Sequence, residues 1–161
     1  MNIFDFAITM EKEGEQYYRE LAAKFPVEGM QKILNMLADD EVKHRQIFEK
    51  MKDDEDTGIV ETRVLLEAKS IFSQMKEDKI DPAAGSGQVD VYKKAQEMEA
   101  KSESFYREKA AEVDDESQKD ILLKIADEEK RHFHLLRNII EFVSRPQQWI
   151  EDAEFTHLEE Y

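Results

Sequence analysis

The chain has 161 residues, the size of one ordinary domain. Lys and Arg number 23 against 38 Asp and Glu, a net charge of −15, which argues against a nucleic-acid or anionic-membrane surface because phosphates repel carboxylates. The absence of cysteine excludes disulfides, thiolate zinc sites, a cysteine nucleophile and an iron held by four cysteines.

Only five Gly and three Pro interrupt the chain, and 40% of residues are hydrophobic, so long helices around a packed core are expected. The opening MNIFDFAITMEKEGE has no basic stretch and carries acids early, so no signal peptide is expected. No apolar run approaches the roughly 18 residues of a membrane span. The expectation is a cytoplasmic, all-α domain.

Helical periodicity runs from about Ile3 to Lys24 and stops near Pro26. It resumes from about Val27 to Met51 and ends at the acidic patch KDDEDTG. A shorter amphipathic stretch, about Glu61 to Lys76, precedes the loop signal DPAAGSG. Two further long segments follow, about Val89 to Val113 and Glu116 to Ser144, and Pro146 closes the last. The expected architecture is a four-helix bundle over residues 1–145, with a long crossover between helices 2 and 3 that contains a short helix. Residues 146–161 form a tail, whose apolar residues alternate with acids and suggest an amphipathic segment.

The chain also repeats itself. At an offset of 88, residues 7–51 align with 95–139 without a gap and share 16 identities in 45 positions, among them Glu11/Glu99, Tyr18/Tyr106, Glu41/Glu129 and His44/His132. Two copies of one helical hairpin make a duplication rather than a solenoid.

With so many acids, the face a carboxylate occupies matters more than its presence. Phe4, Glu11, Tyr18 and Phe25 recur every seven residues and lie along one stripe, as do Tyr92, Glu99, Tyr106 and Val113. The second helix carries Leu34, Leu37, Glu41, His44, Phe48 and Met51 on its apolar stripe; the fourth carries Leu122, Ile125, Glu129, His132, Leu136 and Ile139. If the stripes face one another, four Glu and two His converge in the interior. Four unpartnered buried carboxylates are untenable, at several kcal/mol each, and no Lys or Arg occupies these stripes. Two divalent ions balance four carboxylates and leave both imidazoles neutral. Glu and His three residues apart lie about 60° apart around a helix and about 4.5 Å along it, so both reach one ion. A single E-x-x-H means little here, whereas two at the repeat offset, each with a stripe Glu, make a specific signal. The pattern is that of di-iron and di-manganese carboxylate bundles.

At these residues, Glu11 with Tyr18, E41-V-K-H44, Glu99 with Tyr106, and E129-K-R-H132, the chain resembles the rubrerythrin branch of the ferritin-like superfamily over roughly residues 1–144. The resemblance implies a di-iron site with Glu41 and Glu129 bridging, Glu11 and Glu99 as terminal ligands, and His44 and His132 each on one iron. It further implies reduction of hydrogen peroxide or dioxygen with oxidation of Fe(II), and a homodimer. Two departures stand out. Full rubrerythrins carry a rubredoxin domain with four Cys, so the electron donor is expected to be a separate, rubredoxin-like protein. The rubrerythrin pattern also has a second Glu three residues after the third-helix ligand, linked to peroxidase behaviour, where this chain has Ser102.

Mn or Zn are alternative occupants of such a donor set. Glu15 and Glu103 are expected as hydrogen-bonded or exposed neighbours of the site, and His134 as an exposed side chain. Glu154 and His157 form a third E-x-x-H in the tail, outside the repeat. Against the oxidoreductase stand two other readings: a protein that captures or delivers iron without turnover, and a metal-free interaction bundle, which the complete set of six ligand types disfavours.

Overall fold

The computed structural model describes residues 3–25, 27–53, 77 and 89–144. Four long helices make up the fold: α1 (Ile3–Lys24), α2 (Glu28–Lys52), α3 (Val89–Glu112) and α4 (Glu116–Ser144). Each agrees with its sequence-based expectation to within a residue or so, and no strand occurs among the described residues. The expected crossover helix at 61–76 and the tail, with Glu154 and His157, lie outside the described residues.

The helix ends follow from local chemistry. The residue before a proline is disfavoured in the helical region, and α1 stops just ahead of Pro26. Val27 then adopts an extended conformation, and its carbonyl accepts the first bond of α2 from the Gln31 amide at 3.0 Å. At α4 the Asp115 side chain caps the start, its Oδ1 accepting from the amides of Ser117 (2.8 Å) and Gln118 (3.1 Å). Gly14 sits mid-helix in α1, where glycine costs about 0.5–1 kcal/mol relative to alanine.

Cross-helix contacts define the topology. Arg19 reaches Asp39 at 2.7 Å and Lys52 reaches Asp5 at 2.6 Å, so α1 and α2 run antiparallel. Arg107 meets Asp127 at 2.9 Å, and α3 and α4 do the same. Tyr18 meets Glu99 while Tyr106 meets Glu11, which makes α1 and α3 antiparallel; His44 meets Glu128 while His132 meets Asp40, which does the same for α2 and α4. Helices α2 and α3 are therefore parallel, which is the relative direction expected of a bundle whose middle connection is the long one. The repeat of the sequence is thus a repeat of the fold, with the two hairpins docked about an approximate twofold axis.

Docking buries the four stripes, but the core is not continuous. One apolar cluster includes Phe25, Met30, Leu34, Tyr92, Leu136 and Phe142; the other includes Phe4, Phe48, Met51, Leu122 and Ile125. Between them lies a layer of buried polar groups: Glu11, Asp40, Glu41, His44, Glu99, Glu128, Glu129 and His132. Each apolar cluster excludes water from one side of that layer.

Candidate metal centre

All six residues expected at the site, Glu11, Glu41, His44, Glu99, Glu129 and His132, are at most 4% exposed. The inward stripes of the four helices place them there, one carboxylate each from α1 and α3 and one Glu-x-x-His pair each from α2 and α4.

Their donor atoms fall into two overlapping groups. Glu11, Glu41, His44 and Glu129 can each offer one ligand atom within 4.8 Å of the others, and Glu41, Glu99, Glu129 and His132 do so as a second set. Glu41 and Glu129 belong to both. The two imidazoles lie on either side with ring centroids 6.0 Å apart and planes inclined by 18°.

The inward atoms lack well-formed hydrogen bonds. Glu11 Oε2, Glu41 Oε1, Glu99 Oε2, Glu129 Oε1 and the Nδ1 atoms of both histidines are buried without a hydrogen bond of acceptable geometry. His44 Nδ1 does approach Glu129 Oε1 at 2.8 Å and Glu11 Oε2 at 3.5 Å, and His132 Nδ1 lies 3.4 Å from both Glu41 Oε1 and Glu99 Oε1. Orphaned buried polar atoms cost about 1–3 kcal/mol each, more when charged, so a cluster of them aimed at one another is a strong indication of a missing partner. A divalent cation fits: mixed carboxylate and imidazole donors suit iron or manganese, and nothing in the set requires thiolate.

The outward atoms of Glu11, Glu99 and both histidines, by contrast, have partners, each from the opposite hairpin. Tyr18 donates its hydroxyl proton to Glu99 Oε1, and Tyr106 donates to Glu11 Oε1 at 2.6 Å. His132 Nε2 pairs with Asp40 Oδ2 at 2.9 Å, and His44 Nε2 pairs with Glu128 Oε2. A carboxylate on Nε2 holds the proton there and leaves the Nδ1 lone pair for a metal, the usual pairing of acid, imidazole and ion. Asp40 and Glu128 are absent from the expected set. The signal was present, since each stands immediately before the Glu of an E-x-x-H pair and the two are repeat mates, but periodicity assigns that position to a different face.

The electrostatics describe a site that holds protons when it lacks cations. Burial and then the neighbouring carboxylates, Glu11 foremost for Glu41 and Glu99 foremost for Glu129, push the carboxyls of Glu41 and Glu129 well up. For His44 and His132 burial favours the neutral ring, but the facing carboxylates, Glu11 and Glu99 respectively, outweigh it and raise both well above the ordinary imidazole value. Burial opposes ionisation of Glu99 too, yet the facing His132 imidazole and the Tyr18 hydroxyl leave its carboxyl below the usual range. Burial, reinforced by Glu99 and Glu11, raises the hydroxyls of Tyr18 and Tyr106, so both remain donors.

The remaining expected residues lie outside both sets. Glu15 pairs with Arg45 at 3.0 Å and Glu103 with Arg107 at 2.7 Å. His134, expected to be exposed, is half-buried with its ring edge-on to Phe133 at 5.6 Å, because the outer side of α4 there is itself partly covered. No helix among the described residues is long and apolar enough to cross a membrane.

No curated protein and no solved structure matches the chain significantly. A family model does: that of Rubrerythrin, over residues 2–140, a span that holds all four helices but the last turn of α4 and every residue of the buried layer. By its repeated hairpin, its buried carboxylate and histidine cluster and this match, the chain belongs to the rubrerythrin family.

Proposed function

We propose that the protein is a di-iron oxidoreductase that reduces hydrogen peroxide or dioxygen while oxidising Fe(II). The observation that carries this reading is the pair of overlapping donor sets sharing Glu41 and Glu129. Glu11 and His44 would hold one iron, Glu99 and His132 the other, and Glu41 and Glu129 would serve both; these four carboxylates would be the catalytic residues, in contact with the reacting metals. When bound, two Fe(II) supply one electron each, enough with two protons to reduce one hydrogen peroxide to two waters.

The chain's own residues prepare that chemistry. Tyr18 and Tyr106 fix one oxygen of Glu99 and of Glu11, so that the other oxygen of each faces the site. Asp40 and Glu128 set the imidazole tautomers. Apolar clusters on both sides limit water, which strengthens the interactions of the charged groups between them. Re-reduction draws on a donor outside these 161 residues, of rubredoxin type, since they contain no cysteine to hold such an iron. Assembly as a homodimer accompanies this reading and is checked by sedimentation.

One observation favours a second reading, iron capture without turnover. Ser102 stands where peroxide-reducing relatives are expected to carry a further carboxylate, and Glu103 beside it is taken up by Arg107. Anaerobic loading with Fe(II), followed by limiting H₂O₂ or O₂ under absorbance monitoring, separates the two. Rapid oxidation of bound iron, repeated on addition of a reductant, supports the oxidoreductase. Iron that binds but is oxidised no faster than free Fe(II) supports capture, and a chain that takes up no metal refutes both.

A further inference from the structure

Gly14 stands one helical turn beyond Glu11, mid-helix and buried, at a place where helix propensity alone favours almost any other residue. Its surroundings explain it. A Cβ built on Gly14 would lie 2.9 Å from Glu41 Oε2 and 3.3 Å from the Glu41 carboxyl carbon. Real Cβ atoms essentially never approach another heavy atom within 3.0 Å, so a side chain here and the present Glu41 carboxylate exclude each other. The neighbour is the end of a side chain, but not one free to swing away: it is 4% exposed, on a stripe packed against three other helices. Its other oxygen, Oε1, is one of the orphaned atoms facing the site.

The repeat sharpens the point. The eight groups of the buried layer form four repeat pairs, three of them identical and the fourth, Asp40 and Glu128, of the same chemistry; Gly14 is matched by Ser102, which has a side chain. The approximate twofold of the site is therefore broken one turn beyond each terminal carboxylate.

We propose that Gly14 is a positioning residue for Glu41: the missing side chain creates the room in which the Glu41 carboxylate sits, close against the backbone of α1, with Oε1 turned to both donor sets. The proposal rests on the reading of the cluster as a metal centre and adds to it a determinant outside the ligands. Because Glu41 serves both sets, a methyl group at position 14 disturbs both ions rather than one.

Co(II) provides the test, since its visible absorption reports ligand geometry without any turnover. Metal-free wild type, Gly14→Ala, Glu41→Asp, the Gly14→Ala/Glu41→Asp double variant and Gly29→Ala are titrated with Co(II), with circular dichroism and melting followed on the metal-free forms. Gly29, in the first turn of α2, controls for removing a helical glycine. The expected result is that Gly14→Ala loses about tenfold or more in affinity for both ions, the scale of disturbing a residue that orients a ligand. Its absorption bands shift, while its metal-free helicity stays that of wild type and its melting temperature falls through overpacking at Glu41, a fall that the double variant reverses. The double variant, whose carboxylate is one methylene shorter, binds more tightly than Gly14→Ala alone, and Gly29→Ala binds as wild type. Wild-type affinity, stoichiometry and absorption in Gly14→Ala overturn the proposal. Should Gly14→Ala alone fail to fold, a folded double variant places the clash at Glu41, and a double variant that also fails overturns it. Wild type that takes up no Co(II) overturns the metal reading itself, and this inference with it.

Discussion

Asp40 is the most informative residue to perturb outside the six donors. It is 1% exposed, and its Oδ2 accepts from His132 Nε2 at 2.9 Å, from the opposite hairpin. With that bond in place the imidazole presents Nδ1 to Glu41 and Glu99, 3.4 Å from an oxygen of each. Asp40→Leu removes the acceptor; the ring can then turn or take the other tautomer, with the proton on Nδ1, where it blocks a metal. Loss of such an orienting carboxylate costs about 10- to 100-fold in metal affinity, or about 1.4–2.7 kcal/mol. Asp40→Asn keeps an oxygen acceptor and gives up only the charge, so its effect belongs at the lower end of that range. The disturbance is local: the donor set with His132 weakens and the set with His44, oriented by Glu128, holds. Calorimetric titration of Co(II) into the metal-free protein resolves the two ions as a tight and a weakened step. Two equal, wild-type affinities in Asp40→Leu refute the argument that Asp40 orients His132, and an equal loss at both ions refutes the independence of the two sets.

Three further outcomes follow from the same geometry. Glu11→Ala removes a donor from one set and leaves the other complete, whereas Glu41→Ala strikes both, so metal content per chain falls by about half in the first and by more in the second; elemental analysis measures it, and equal losses contradict the sharing of Glu41. Tyr106→Phe deletes the buried hydroxyl that donates to Glu11 Oε1 at 2.6 Å and costs about 1–3 kcal/mol in denaturant unfolding of the metal-free protein, as expected when a buried acceptor loses its donor; a change below roughly 0.5 kcal/mol contradicts it. Metal-free protein loses stability as pH rises: Glu41, Glu129, His44 and His132 hold protons more tightly folded than unfolded, so the folded state binds the extra protons and their removal weakens it, while Glu99 acts in the opposite sense. The fall begins above the ordinary carboxyl value of 4.5 and continues past the ordinary imidazole value of 6.5; melting temperatures of the chelator-treated protein that rise through this window refute it.

Much of this molecule was legible from one dimension. Helical periodicity is a local property, so the four helices and their inward stripes follow from the spacing of Phe4, Glu11 and Tyr18 or of Leu37, Glu41 and His44. The offset of 88 residues, with the same acids and imidazoles in both copies, showed two hairpins built alike, and the cost of burying four carboxylates implied cations. Asp40 and Glu128 were not legible because each precedes a stripe Glu by one residue, about 100° around the helix, where periodicity alone points to solvent.

Tertiary structure decided what depends on one helix meeting another. Antiparallel docking of α2 on α4 buries that second face and aims each acid at the histidine of the other hairpin. The same docking makes Glu41 and Glu129 common to both donor sets and sends each tyrosine to the far carboxylate. Gly14 in the sequence is only a weak point in a helix; against the Glu41 carboxylate it becomes a fitted space. Spacing along a chain fixes which face a side chain takes, but partners across an interface depend on the register and direction in which the faces meet, and those are set by the packed bundle as a whole.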